Sequence, residues 1–281
     1  MIKRLSLIIL IVLISSVYAN VQTQNSTNDT GIDTTNQYNT TRELKFIVVG
    51  DPHVNYSNTS DKGNKRLEQV VNFVNNKDID FVVFIGDMAD DGKRRSNEVV
   101  KDILKNLNKK YYVIAGNHDI LISPKMFEEY YGPMEHIEYV NGYQLLFVGI
   151  YEEKDENGTT LKWSFDFRKA DKNAPTLVFI HGPVADLPIG CIHCQIKDRN
   201  ILQYATDIRP ELEKFDNLIG VYSGHIHYDS DSVINGTRYV TVNGLNNIRF
   251  GKYLTVVKYS DKVGYSVIKD DKSYYGLVSY N

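Results

Sequence analysis

Seven side chains in this sequence have the chemistry of metal ligands: Asp51, His53, Asp87, Asn117, His181, His225 and His227. They are carboxylate, amide and imidazole donors, too many for one ion and well matched to two. Mixed N and O sites favour Mn, Fe, Zn or Ni in the divalent or mixed-valence state and need no thiolate. A carboxylate shared between two such ions would hold them about 3.5–4 Å apart, the spacing of two-metal hydrolases. Ions so placed lower the pKa of a bound water and offset the charge that builds on phosphoryl oxygens during in-line attack. The donor set therefore points to phosphoryl transfer.

Five apolar runs deliver these groups. Asp51-Pro52-His53 follows Leu44 to Gly50, Asp87 follows Phe81 to Gly86, and Asn117 follows Tyr111 to Gly116. His181 follows Thr176 to Ile180, and His225-Ile226-His227 follows Leu218 to Gly224. Runs of this length, rich in Val, Ile, Phe and Tyr, read as buried strands, and in open α/β sheets ligands gather outside the carboxyl ends of such strands. Between the first three runs, Leu67, Val70, Val71, Phe73 and Val74 recur at helical spacing, as do Val99, Ile103, Leu104 and Leu107. The second of these helices is expected to start around Ser96 to Glu98, and a short third one around Pro124 to Tyr131. Strand and helix alternate up to Ala115, which implies right-handed crossovers and a parallel sheet.

Beyond that point strands crowd together: Ile137 to Val140, Tyr143 to Gly149, Leu161 to Phe167 and Thr176 to Ile180. Asn141-Gly142 and Asn235-Gly236 are type I′ hairpin signals, and Tyr253 to Tyr259 is expected to pair with Gly264 to Ile268. The second half reads as more antiparallel. An α/β fold of two mixed sheets packed face to face, with helices outside, accounts for this order.

The chain of 281 residues, 42% hydrophobic, is long enough for one large core. Lys plus Arg is 32 against 35 for Asp plus Glu, a net charge of −3, so the basic footprint of a binder of long nucleic acid is missing. Residues 1–19 read as a secretory signal, with Lys3 and Arg4 before the apolar run Leu5 to Val17 and small residues at Val17 and Ala19. An uncleaved N-terminal membrane tether is the alternative; the run alone is shorter than the ~17–25 residues of a membrane span. Residues 20–42 are almost wholly Asn, Thr, Gln, Ser and Asp, the composition of a disordered linker. Residues 43–281 are left as the folded domain. Glycosylation acceptors precede x-Ser or x-Thr at Asn25, Asn28, Asn39, Asn55, Asn58, Asn157 and Asn235.

In sequence order, Asp-x-His at Asp51, Gly-Asp at Gly86, Gly-Asn-His-Asp at Gly116, the lone His181 and Gly-His-x-His at Gly224 resemble the calcineurin-like metallophosphoesterases. The resemblance covers Leu44 to Ile268 with all five blocks intact. It implies a four-layer α/β/β/α sandwich. Asp51, His53 and His227 would hold the first metal, Asn117, His181 and His225 the second, and Asp87 would bridge them. The attacking group would be a metal-bridging hydroxide, with His118 as general acid. Asp90, three residues after the bridging Asp, would orient His118, with Asp119 as the alternative. Gly86-Asp87-Met88-Ala89-Asp90-Asp91-Gly92 lacks the Arg of the protein serine/threonine phosphatases, and Asp90 stands where purple acid phosphatases have Tyr. The pattern is most similar to the class III cyclic-nucleotide phosphodiesterase branch.

The implied activity is hydrolysis of small phosphate mono- or diesters by a secreted or surface-tethered enzyme. A binding protein on the same fold and an extracellular nuclease are the competing readings; intact donors weigh against the first, and acidic charge against the second. Cys191 and Cys194 are expected to form one short disulfide, with free thiols or a separate metal site as alternatives. Lys93-Arg94-Arg95 reads as a solvated helix start, with a grip on substrate phosphate as the alternative.

Overall fold

The computed structural model describes residues 44–57, 62–156, 158–184, 208–227, 230–245, 253–259 and 263–269. Three strands, β1 (Leu44–Val49), β2 (Phe81–Phe84) and β3 (Lys110–Val113), pair in parallel. Helices α1 (Lys62–Asn75) and α2 (Arg94–Leu104) make the crossovers. On the other side of β1, the strands β11 (Tyr253–Tyr259) and β12 (Val263–Lys269) add an antiparallel pair, giving the order β12-β11-β1-β2-β3. The start of α2 lies two residues before the expected Ser96, because the Asn97 amide already donates to the Lys93 carbonyl at 3.0 Å. Helix α3 (Pro124–Tyr131) starts where predicted: Pro124 needs no hydrogen bond in the first turn, and the Ser123 hydroxyl accepts from the Lys125 amide.

The second sheet contains β4 (His136–Val140), β5 (Tyr143–Asp155), β6 (Gly158–Ser164), β7 (Thr176–Ile180), β8 (Leu218–Ser223), β9 (Ser230–Ile234) and β10 (Thr237–Thr241). Its order is β4-β5-β7-β8-β10-β9, with β6 paired to β5. The antiparallel character expected of the second half of the chain holds at β11-β12, as predicted, and within this sheet at the hairpins β4-β5, β5-β6 and β9-β10. Its centre, β5-β7-β8-β10, is parallel. Periodicity could not distinguish these cases, because a buried strand is apolar whichever way its neighbour runs. The strand β5 has 13 residues and serves three partners, Tyr143 to Phe147 pairing with β4, Gln144 to Val148 with β7 and Gly149 to Asp155 with β6.

Alternation along the strands builds the layers. On β1, Phe46 and Val48 face the second sheet, while Ile47 and Val49 face α1 and α2. The inter-sheet layer is aromatic: Phe46 stacks on Phe81 at 5.1 Å and meets Phe179 edge-on at 5.7 Å and Tyr222 at 5.4 Å. On the far face, Val178, Val221 and Tyr239 pack against Phe167 of a 3₁₀ turn and Ile208 and Leu212 of a short helical stretch. The result is the α/β/β/α sandwich that the motif order implied. Parallel strands from both sheets end on one rim, where Gly50 bridges Gly244 and the Leu245 amide donates to the Gly50 carbonyl at 2.8 Å.

Candidate metal centre

At that rim the strand ends turn abruptly. Five candidate ligands have left-handed backbone: Asp51 (φ 42°), His53 (φ 48°), Asp87 (φ 52°), His225 (φ 68°) and His227 (φ 50°). An L-residue there costs about 1–2 kcal/mol, and such costs persist where surrounding structure over-determines the conformation. The surroundings do so here. Asp51 accepts the His225 amide at 3.0 Å on Oδ1 and 3.1 Å on Oδ2, and the Asp87 carbonyl accepts the His53 amide at 2.8 Å. Asp87 Oδ1 accepts the His118 amide at 2.9 Å. Each tip is thus fixed by a tip from a different strand.

The donors converge in two groups, Asp51, His53, Asp87 and His227 in one, Asp87, His181 and His225 in the other. Asp87 Oδ2 lies 3.5 Å from His53 Nε2 and 3.5 Å from His181 Nε2, so one oxygen belongs to both. In the first group His53 Nε2 faces His227 Nε2 at 3.0 Å, and His227 Nε2 is 3.7 Å from Asp51 Oδ1. In the second, His181 Nε2 is 3.1 Å from Asn117 Oδ1 and 3.2 Å from His225 Nδ1. Donors that share one ion at about 2.1 Å lie roughly 3.0–3.4 Å from one another. A single proton could join two facing nitrogens, but it could not satisfy the four converging donors of the first group; a cation can. The residues present fit a pair of metal ions.

The electrostatics of three imidazoles agree, while His181 and Asp51 are shifted toward protonated forms whose protons a bound cation would displace. Burial, with the neighbouring His181 charge second, pushes the His225 imidazole down to about 3; burial, with His53 second, takes His227 down to about 4. Burial also lowers His53. These rings are therefore neutral at pH 7, the form that binds cations. Burial opposes charge on His181 too, but the Asp87 and Asp51 carboxylates prevail and raise it to about 9. Burial works against ionisation of Asp87, yet His181, His53 and His118 together hold its carboxyl well below the usual range. Burial pushes Asp51 well up, partly offset by His181.

His118 stands at the open side of the cluster, its ring 4.6 Å from that of His53 and its side chain 34% exposed. Its Nδ1 is 2.5 Å from the main-chain carbonyl of Asp90. The residue expected to orient His118 is thus beside it, through its backbone. The Asp90 carboxylate faces His53 Nδ1 at 3.1 Å. The alternative orienter, Asp119, braces the loops instead: its buried carboxylate accepts the amides of Gly116 at 2.9 Å and Ala89 at 3.1 Å. Burial, with the Asp87 charge second, raises it to about 7. That brace escaped the sequence reading, although an Asp three residues after a Gly that ends a strand is a recognisable turn former. So did Arg66, buried on α1, which donates to the Leu245 carbonyl at 2.7 Å and anchors the loop behind His227.

Of the remaining predicted residues, Cys191, Cys194, Asn25, Asn28, Asn39, Asn58 and Asn157 lie outside the described residues. Asn235 is exposed at a hairpin tip, whereas Asn55 is half-buried with its amide donating to Asp90 Oδ2 at 3.2 Å. Lys93, Arg94 and Arg95 are exposed at the start of α2, with Lys93 paired to Asp91 and Arg94 to Glu129.

The sequence pattern of the calcineurin-like phosphoesterase family matches residues 44–229, and the chain belongs to this family. It is 28% identical over 167 residues to a probable glycerophosphodiester phosphodiesterase of Arcobacter nitrofigilis, covering 56% of this chain and 59% of that one. It is 25% identical over 171 residues to a 3′,5′-cyclic-nucleotide phosphodiesterase of Nostoc, covering 59% and 60%. The match thus spans about three-fifths of the length of these relatives. Among solved structures, a dimetal phosphatase from Danio rerio has the same fold, with a TM-score of 0.57, 13% identity and coverage of 80% of this chain and 95% of that one.

Proposed function

We propose that this protein is a metal-dependent phosphoric ester hydrolase that acts on small phosphodiesters. The observation that carries the reading is Asp87 Oδ2, at 3.5 Å from an imidazole of each donor group. Asp51, His53 and His227 would hold one ion, Asn117, His181 and His225 the other, and Asp87 both; Mn, Fe, Zn and Ni suit these donors. When bound, such a pair supplies Lewis-acid polarisation of the phosphoryl oxygens and an acidified water. His118 does the remaining proton work. Its Nδ1 donates to the Asp90 carbonyl at 2.5 Å, which leaves Nε2 to deliver a proton to the departing oxygen. The names of the relatives from Arcobacter and Nostoc favour diesters over monoesters. A secreted or surface-tethered location, supported by the apolar run Leu5 to Val17 and the Asn/Thr-rich residues 20–42, completes the proposal.

The test is turnover of bis-p-nitrophenyl phosphate against p-nitrophenyl phosphate, with added Mn²⁺ and after chelation. Turnover that favours the diester, vanishes on chelation and returns with Mn²⁺ is expected. With an alkyl diester, whose leaving group needs a proton, His118→Ala should lose about 10²–10⁴-fold. Protein that binds no metal and turns over neither ester would sink the hydrolase and leave the binding-protein reading; two bound ions without turnover of either ester would point to a narrower natural substrate.

A further inference from the structure

We infer that the Asp90 carboxylate is a positioning group for His53, held there by Asn55, and does not act through the imidazole of His118. The inference rests on the reading of His53 as a metal ligand. Two imidazoles lie near this carboxylate, and the distances separate them. Asp90 Oδ1 is 3.1 Å from His53 Nδ1, within hydrogen-bond reach, and 3.9 Å from His118 Nδ1, outside it. His118 Nδ1 is already engaged by the Asp90 main-chain carbonyl at 2.5 Å, an acceptor that no substitution of the Asp90 side chain removes.

The other carboxylate oxygen, Oδ2, accepts from Asn55 Nδ2 at 3.2 Å. The orientation of that amide is set by its own oxygen, which accepts from the Ser57 amide at 2.9 Å and the Ser57 hydroxyl at 2.7 Å. The Asn55 backbone is tied to α1 by Asn64, whose side chain accepts from the Asn55 amide at 3.1 Å and donates to its carbonyl at 3.2 Å. A chain of contacts therefore runs from α1 through Asn55 and Asp90 to His53.

The His53 tautomer gives this chain its purpose. Nε2 points into the donor group, 3.5 Å from Asp87 Oδ2 and 3.0 Å from His227 Nε2, so a ligand there must offer its lone pair inward. The ring proton then sits on Nδ1, facing Asp90. A carboxylate that accepts this proton fixes the tautomer and ring angle and makes the inward nitrogen a stronger donor. Asn55 Nδ2 is also the acceptor nitrogen of the Asn55-Tyr56-Ser57 glycosylation signal, so a glycan there would load the amide that steadies Asp90.

Metal affinity, measured apart from turnover, tests this: calorimetric titration of the full chain with Mn²⁺ or Zn²⁺, for wild type, Asp90→Ala, Asp90→Asn, Asn55→Ala and His53→Ala, with circular dichroism to verify folding. In Asp90→Ala one of the two ions should bind about 10–100-fold more weakly. Asp90→Asn, which keeps an acceptor oxygen for Nδ1, should fall between it and wild type, and Asn55→Ala should weaken the same ion by less. Turnover of alkyl and nitrophenyl diesters should decline by the same factor in Asp90→Ala, since proton delivery by His118 keeps its anchor. Two ions bound as tightly in Asp90→Ala and Asn55→Ala as in wild type, or a selective loss on the alkyl diester, would overturn the inference. Wild type that takes up no ion, or His53→Ala that binds both ions undiminished, would overturn the underlying reading, and the inference with it.

Discussion

Left-handed backbone at non-glycine residues occurs in two kinds of place among the described residues, and the two are stabilised differently. At the hairpins, Asn141 (φ 52°) and Asn235 (φ 51°) precede Gly142 (φ 86°) and Gly236 (φ 85°), the type I′ turns that suit the twist of two antiparallel strands. Asn tolerates this region and Gly has no side chain to clash, so the turn is a local matter. At the rim, the same sign of φ falls on Asp51, His53, Asp87, His225 and His227, residues with no such tolerance beyond that of Asp and His as enriched exceptions. Their conformation is held from outside, by hydrogen bonds such as His225 to Asp51 and His118 to Asp87 that join different strands. The hairpin turns are chosen by two adjacent residues; the rim turns are imposed by the whole sandwich, and they aim side chains at a common point. Backbone strain located where ligands converge is the pattern of a functional site.

The strongest way to break this contrast is at Asp87. Asp87→Ala removes the oxygen common to both donor groups, and turnover should fall by at least about 10²–10³-fold, with the number of bound ions dropping below two by elemental analysis. Retention of both ions and of turnover would mean that the two groups do not depend on a shared carboxylate.

Gly116→Ala should come next. A Cβ there would collide with Asp87 Oδ1 and its backbone nitrogen, so the variant should lose metal and activity together, and since the clash is with backbone it should also lower stability by about 1–3 kcal/mol in urea melts.

On stability, chelation should act in the same range. Removing ions held at 100 times their dissociation constant costs the folded state about 2.7 kcal/mol, read as a drop in Tm that is restored by Mn²⁺; an unchanged Tm would argue that no ion was bound.

The smallest effect is expected at the other end of the comparison. Gly236→Ala meets nothing within 4 Å but has φ 85°, so it should cost only about 1–2 kcal/mol of backbone strain and leave metal content and turnover at wild-type levels. A loss of metal in this variant would show that the hairpin and the rim are coupled.

The difference between the two regions also explains how far the residues could be read in advance. Hairpins, helix α3 and the apolar strands were visible because each depends on near neighbours: Asn-Gly pairs, Ser123 with Pro124, and runs such as Phe81 to Ile85. The donor residues were visible because the polar types that follow those runs are rare at such positions and complementary in chemistry. The parallel centre of the second sheet was not, since the partner of β7 on one side begins at Leu218, far along the chain. Nor was the side of Asp90 that faces His118. Sequence spacing places Asp90 near that imidazole, but it cannot say whether the carbonyl or the carboxylate turns toward it.

The sequence alone settled which elements form and which side chains could bind cations, because propensity, periodicity and donor chemistry are local properties. Only the tertiary structure decided which donors gather around Asp87, that Asp119 braces two loops, and that the Asp90 carboxylate lies nearer His53 than His118. Those outcomes depend on chain segments brought together from distant positions, His53 and Asp90 being 37 residues apart and His53 and His227 174, and on differences of less than an ångström between one acceptor and the next.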